Sequence, residues 1–191
     1  AFVDASGESC VASTTGIRSE SASTACYVSV SCLAEADGVT QTGFGFSVGR
    51  ELDDLVPADA VDDAARRATR LLGATKPAST RTTVVLDPYV TAQVIGVIGS
   101  TLSGEAVLKG RSPFADRLGD EVAASIVTLV DDASNPLAYT ASATDGEGLA
   151  SRRTPLIVDG VLRSFVHDSY SARRAGTVST GNAVRGGFKS T

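Results

Sequence analysis

His167 is the one histidine in this 191-residue chain, so any Ser-His-Asp or Cys-His arrangement has to be built on it. Such a device needs an imidazole hydrogen-bonded to a nucleophile and oriented by a third group. Asp168 lies beside His167 in sequence rather than where it would orient the ring, and a lone histidine near a strand end reads more simply as a hydrogen-bonded or surface residue. A zinc hydrolase asks for about three protein ligands and an open position, usually with helical histidines and a glutamate as general base. One histidine does not supply that set. The acidic pairs Asp131-Asp132 and Asp145/Glu147 lack the ligand number and spacing of a calcium loop and read as solvated loop acids. The glycines of segment 181–187 do not lie between a strand and a helix, as a phosphate loop would, and read as a mobile or docking segment. Cys10, Cys26 and Cys32 fit neither a paired disulfide framework nor the close spacing of a zinc knuckle, and are expected to be reduced, partly buried thiols.

The elements that carry these residues follow from periodicity. Between residues 22 and 34, Cys26, Val28, Val30 and Cys32 alternate with Tyr27, Ser29 and Ser31, which is the period of a strand. Asp37-Gly38 supplies a tight turn, and residues 39–48 alternate again through Phe44 and Phe46, predicting a β-hairpin. Pro57 suits a first helical turn, and Val61, Ala64, Ala65, Ala68, Leu71 and Leu72 recur at helical spacing until Gly73 and Pro77 end the helix. Residues 74–81 read as a connector, which sets the expected division into a hairpin-plus-helix region, 1–76, and a second region, 77–191. Residues 82–86 are β-branched and read as a strand; Asp87-Pro88 opens a helix running to Leu102. Gly96 and Gly99 each cost that helix about 1 kcal/mol relative to alanine, and close packing against a neighbour is the expected compensation. Further on, residues 125–130 read as a strand, 131–135 as a loop, 155–158 and 161–165 as a hairpin around Asp159-Gly160, and 169–175 as a short helix. The expected class is α+β, with antiparallel hairpins and amphipathic helices. Position 1 is alanine, and the tail 177–191 is rich in Gly and Ser and needs partners to become ordered. The sequence therefore reads as an internal part of a larger two-part protein, cut short in its second region.

With 42% hydrophobic residues the chain can build a packed core. Seventeen basic against 22 acidic side chains give a net charge of -5 and a pI near 4.9, which is not the basic footprint of a nucleic-acid binder. The longest apolar runs, 83–86 and 92–98, are too short to span a bilayer, and no secretory pattern opens the chain, so a cytoplasmic location is expected.

Several segments, read in order, resemble the TldD/PmbA family, also labelled modulators of DNA gyrase. They are Leu102-Ser-Gly-Glu-Ala-Val-Leu-Lys-Gly110, Thr128-Leu-Val-Asp-Asp132, Asp145-Gly-Glu-Gly148, Arg153-Thr-Pro-Leu-Ile-Val-Asp-Gly160, Asp168-Ser-Tyr-Ser-Ala-Arg173 and Ser179-Thr-Gly-Asn182. The resemblance covers nearly the whole chain, while the chain covers less than half of a typical member. In the catalytic TldD branch the stretch matching Gly104 to Lys109 reads His-Glu-x-x-x-His, with two zinc-binding histidines and a glutamate as general base. Here only Glu105 matches. Gly104 stands at the first histidine position and Lys109 at the second, where its ammonium opposes a dication. Positions five apart lie roughly 140° apart on a regular helix, so even the intact motif needs a local distortion to converge on one metal. Glu105 and Lys109 form an i,i+4 pair of the ordinary exposed kind. The third ligand of the catalytic branch, a cysteine, belongs to a region beyond this chain, so the three cysteines inherit no role.

The resemblance implies the PmbA/TldE-like branch: a non-catalytic subunit of a TldD/TldE-type zinc metalloprotease complex that processes peptides. On this reading the chain is inactive alone, carries no catalytic residue, cofactor or metal of its own, and has a TldD-like partner holding the zinc. It would shape a peptide channel whose strand edges offer backbone hydrogen bonds to an extended substrate. No direct nucleic-acid or membrane contact is expected. The alternatives are a homo-oligomeric peptide-binding or scaffold protein without protease activity, and a self-sufficient metallopeptidase, for which the motif lacks ligands.

Overall fold

The computed structural model describes residues 1–186. It divides into two compact units, Ala1–Ser9 with Ser21–Thr83, and Cys10–Glu20 with Val84–Thr191. Both combine helices with antiparallel strand pairs, so the class is α+β. No helix among the described residues is long and apolar enough to cross a membrane.

The first unit rests on the sheet β1-β2-β3, made of β1 (Phe2–Ala12), β2 (Arg18–Ala36) and β3 (Val39–Gly49); the distal part of the β1/β2 hairpin counts with the second unit. Strands β2 and β3 pair antiparallel from Ala36↔Val39 to Cys26↔Gly49. Their turn is the predicted Asp37-Gly38, both residues with positive φ, as a two-residue hairpin loop of matching twist requires. Against β3 packs α1 (Pro57–Thr69), with proline in its first turn. The buried stripe of α1 is Ala60, Ala64 and Ala68, while Val61 is exposed and Leu71, expected within the helix, lies in the turn after it, the helix ending at Thr69. The reason lies across the interface. A Cβ on Gly43 would fall 2.0 Å from the Ala64 carbonyl oxygen, and one on Gly45 2.0 Å from that of Ala60. Helix and strand approach so closely that only alanine facing glycine fits. Phe44 and Phe46, on alternate positions of the strand, stack with ring centroids 5.9 Å apart.

The second unit holds α2 (Pro88–Thr101), α3 (Gly104–Leu108), a sheet of β4 (Leu129–Asp132), β5 (Arg153–Val158) and β6 (Val161–Leu162), and α4 (Ser169–Ala175). Its core is Leu102, Leu156, Ile157 and Leu162, with Ile98, Phe114, Val122, Leu129, Phe165 and Val166 packed against them. The β5/β6 hairpin turns at Asp159-Gly160, again both at positive φ, as predicted. Helix α4 occupies the predicted residues, capped by Asp168 and ended by Gly176 in the left-handed conformation.

Four expectations fail in this unit or at its border. Residues 82–86 are not a strand: among the described residues no strand pairs with them, and Val84 and Val85 are exposed. An exposed β-branched run with no neighbouring strand leaves its backbone to water, and propensity alone does not make it a strand. The strand expected at 125–130 begins only at Leu129 and continues through Asp131 and Asp132, because Val127 donates to the Ala124 carbonyl in a turn. The second strand of the hairpin stops at Leu162 instead of running to Phe165, because the N–H groups of both Arg163 and Ser164 go to the Leu156 carbonyl and the register is lost there. Finally, among the described residues nothing lies within 4 Å of where a Cβ on Gly96 or Gly99 would sit, so the close packing expected to offset these glycines is not made there. The tail segment 177–191 is described only to Gly186; Gly187 and the residues after it lie outside the described residues.

Candidate functional site

Helix α3 begins where the chain leaves the core. Leu102 is buried, Ser103 caps α3 by accepting a hydrogen bond from the Ala106 N–H at 3.1 Å, and Gly104 is the first helical residue. This start is tied to the segment after β6. Val166 donates to the Leu102 carbonyl (3.1 Å), Gly104 donates to the Val166 carbonyl (2.7 Å), and Ser103 and Val166 form a parallel bridge. The backbone ties hold positions 104 and 167 in fixed register.

His167 is fastened on its other side as well. Its N–H donates to Thr180 Oγ1 at 2.6 Å, and its carbonyl accepts from the Thr180 N–H at 3.0 Å and from Ser179 Oγ at 3.1 Å. The imidazole therefore lies on Gly104: a Cβ there would sit 2.0 Å from His167 Nδ1 and 2.2 Å from Cε1. The ring is buried, with Nδ1 3.2 Å from Ser171 Oγ. Burial holds its pKa below the ordinary histidine value, the nearby Asp168 charge opposing the shift. A neutral ring results at neutral pH.

No triad forms around this histidine. The Asp168 carboxylate accepts the Ser171 N–H at 2.6 Å as the cap of α4, and Ser171 is only 2% exposed. The hydroxyl beside the imidazole is nearly buried and has no carboxylate orienting the ring it meets, so the pair reads as the hydrogen-bonded histidine that the sequence suggested, at the wall of the neighbouring cleft.

Glu105 and Lys109 pair one turn apart on the outer face of α3, both side chains about half exposed. Glu105 also borders a cleft beside α3, lined by Ser103, Gly104, residues 166–171 in part, and residues 182–184. Asp145 and Glu147, read from sequence as solvated loop acids, are instead structural acceptors. Asp145 Oδ1 takes the N–H groups of Glu147 and Leu149 (both 2.9 Å), Asp145 Oδ2 takes that of Ala183 (3.1 Å), and Glu147 Oε2 takes that of Ser169 (3.0 Å). Carboxylates placed so satisfy loop N–H groups that would otherwise be unpaired. Asp131 is likewise engaged, by the Asn182 amide. Among the described residues no three His, Cys, Asp or Glu side chains converge as a metal cage.

The cysteines stand apart from this site. Cys26 is buried, its thiol donating to the Glu51 carbonyl at 3.0 Å, and burial together with the charges of Asp4 and Asp54 pushes it up. Cys10 is exposed, Cys32 half-buried, and all three are free. The sequence singled out Asp145 only as a solvated acid and part of a motif, did not set Ser171 beside His167, and gave no sign that His167 touches Gly104. A helix-opening glycine with no turn to make was the available signal.

Comparison with known proteins bears on both units. Residues 79–191 match the family model described as the PmbA/TldA metallopeptidase C-terminal domain, and residues 1–72 the central domain of the same family. A metalloprotease of Methanocaldococcus jannaschii is 31% identical over 172 residues, covering 87% of this chain and 38% of that protein. The metalloprotease PmbA of Escherichia coli O157:H7 is 27% identical over 152 residues, covering 79% and 34%. A Thermotoga maritima structure described as a candidate modulator of a DNA gyrase superposes with a TM-score of 0.81 at 26% identity, covering 97% of this chain and 43% of that one. The chain thus spans about two fifths of the length of the relatives it matches.

Proposed function

Since the chain belongs to the PmbA/TldD metallopeptidase family, we propose that it is part of a TldE/PmbA-like subunit: a non-catalytic, cytoplasmic component of a peptide-processing zinc protease complex, whose TldD-like partner holds the metal. The observation that carries this reading is the environment of residue 104. By resemblance, the catalytic branch has a zinc-binding histidine there; this chain has a glycine, with the His167 ring against it. Lys109 stands at the second histidine position and pairs its ammonium with Glu105, leaving a cation where a dication would sit. Glu105, the one residue in common with the catalytic motif, is thus engaged as an ordinary helical ion pair. The donor set does not suit zinc, and no catalytic step is assigned to these residues.

The contribution open to such a subunit is to shape the route of a peptide. Strand β3 is an edge of its sheet, the usual place for an extended chain to add as a further strand, with the Phe44 carbonyl there already accepting from Arg67 at 2.6 Å. Peptide hydrolysis by the full-length protein, alone and mixed with a TldD-like partner, tests the assignment. Cleavage only in the mixture is expected. Cleavage by the protein alone overturns the reading, and cleavage in neither favours a homo-oligomeric scaffold.

A further inference from the structure

The glycine at position 104, like Gly43 and Gly45, has no conformational reason to be glycine. It is the first residue of α3, an ordinary helical position, and it is not among the glycines of positive φ. An alanine there would fit the backbone and improve the helix. What excludes a side chain is the His167 ring, whose Nδ1, Cε1 and Cγ lie 2.0, 2.2 and 3.0 Å from the place of a Cβ.

We infer that His167 is a site-closing residue: its imidazole fills the volume that a side chain at position 104 would need, so that Gly104 and His167 are one coupled unit. The closure is steric as well as chemical. The ring has little freedom to swing aside, because its own backbone N–H and carbonyl are both bonded to Thr180, its Nδ1 meets the buried Ser171 hydroxyl, and Gly104 is bonded to the neighbouring Val166 carbonyl. Restoring a ligand at 104 and another at 109 is therefore insufficient to rebuild the catalytic form of the motif. The ring has to be removed from the space first. This goes beyond the loss of two ligands, since it assigns to a residue outside the motif the role of holding the position closed. The Gly104–His167 contact stands on packing alone, while its reading as closure of a ligand position rests on the proposed family role of position 104.

A stability cycle on the full chain tests it, with Gly104→Ala introduced in the natural background and in His167→Ala. In the natural background Gly104→Ala is expected to lower Tm by about 5 °C or more, as overpacking of a tight contact does in a chain of this size. In the His167→Ala background the same change is expected to leave Tm within about 1 °C or raise it, because the obstructing ring is gone and alanine favours the helix. Equal losses in both backgrounds overturn the inference. If Gly104→Ala alone does not fold, recovery of folded protein in the double variant supports it, and failure of the double variant where His167→Ala folds overturns it. His167 gives a second readout, its Cε1 proton resonance being assigned by its loss in His167→Ala. That resonance shifts in Gly104→Ala if the ring is displaced; an unmoved resonance with unchanged Tm contradicts the contact.

Discussion

The imidazole of His167 lies on the α-carbon of Gly104, so close that a methyl group there would stand 2.0 Å from Nδ1. The two residues come from distant parts of the sequence and meet because the start of α3 and the segment after β6 are bonded through Leu102, Gly104 and Val166. A contact of this kind gives the missing histidine of the motif a packing consequence, and it orders the expectations that follow.

His167 makes stability depend on pH. Burial holds its folded pKa below the ordinary value of about 6.5. The unfolded chain therefore binds the proton first as pH falls, and the stability associated with the neutral ring is complete above about pH 6.5 and lost below it. Thermal melts at pH 7.5 and 5.5 should show a lower Tm at the acid end, and His167→Asn should reduce that difference. An equal Tm at both values would contradict the burial of a neutral ring.

Gly45 and Gly96 should respond in opposite directions to alanine. Gly45→Ala forces a methyl group to within 2.0 Å of the Ala60 carbonyl oxygen, and a loss of about 3 kcal/mol is expected as β3 and α1 are pushed apart. Gly96→Ala meets nothing within 4 Å on α2 and should gain up to about 1 kcal/mol from helix propensity. Denaturant melts of the two variants provide the comparison. A gain for Gly45→Ala would refute the close helix-strand contact.

Much of this architecture was legible in the chain, and the failures have physical causes. Asp37-Gly38 and Asp159-Gly160 announced their hairpins because only a few residue types accept positive φ in both turn positions. Asp168 and Gly176 bracket α4 by the usual capping rules. Strand β1 escaped notice because nearly all its residues are exposed, so its sequence carries no alternation between an apolar and a polar side. Residues 82–86 misled for the opposite reason: β-branched side chains suggest a strand, yet pairing is a tertiary property that composition does not contain. At the site, Gly104, Glu105 and Lys109 could be singled out by resemblance. The identity of the residue filling the space at 104 required the fold.

Cysteine chemistry separates the three thiols. Cys10 should react with a thiol reagent at the rate of an exposed side chain, whereas Cys26, buried and with its pKa raised, should react only on unfolding. A timed modification followed by mass spectrometry distinguishes them. Fast labelling of Cys26 in the folded chain would be inconsistent with its burial against the Glu51 carbonyl.

Removing the Glu105 pair should do little. Both side chains are about half exposed, and an i,i+4 pair of this kind contributes about 0.3–0.5 kcal/mol. Lys109→Ala is therefore expected to change stability by no more than about that amount, measured by denaturant melts in low salt. A loss several times larger would mean that Lys109 has a role beyond pairing with Glu105.

Metal content is the most direct test of the central claim that this chain does not hold the family's zinc. The full chain, equilibrated with zinc and then passed through a desalting column, should retain far less than one zinc per molecule by elemental analysis, and Glu105→Gln should not alter the result. One zinc per chain, lost on substitution of Glu105 or His167, would contradict the account and return the site to the catalytic class.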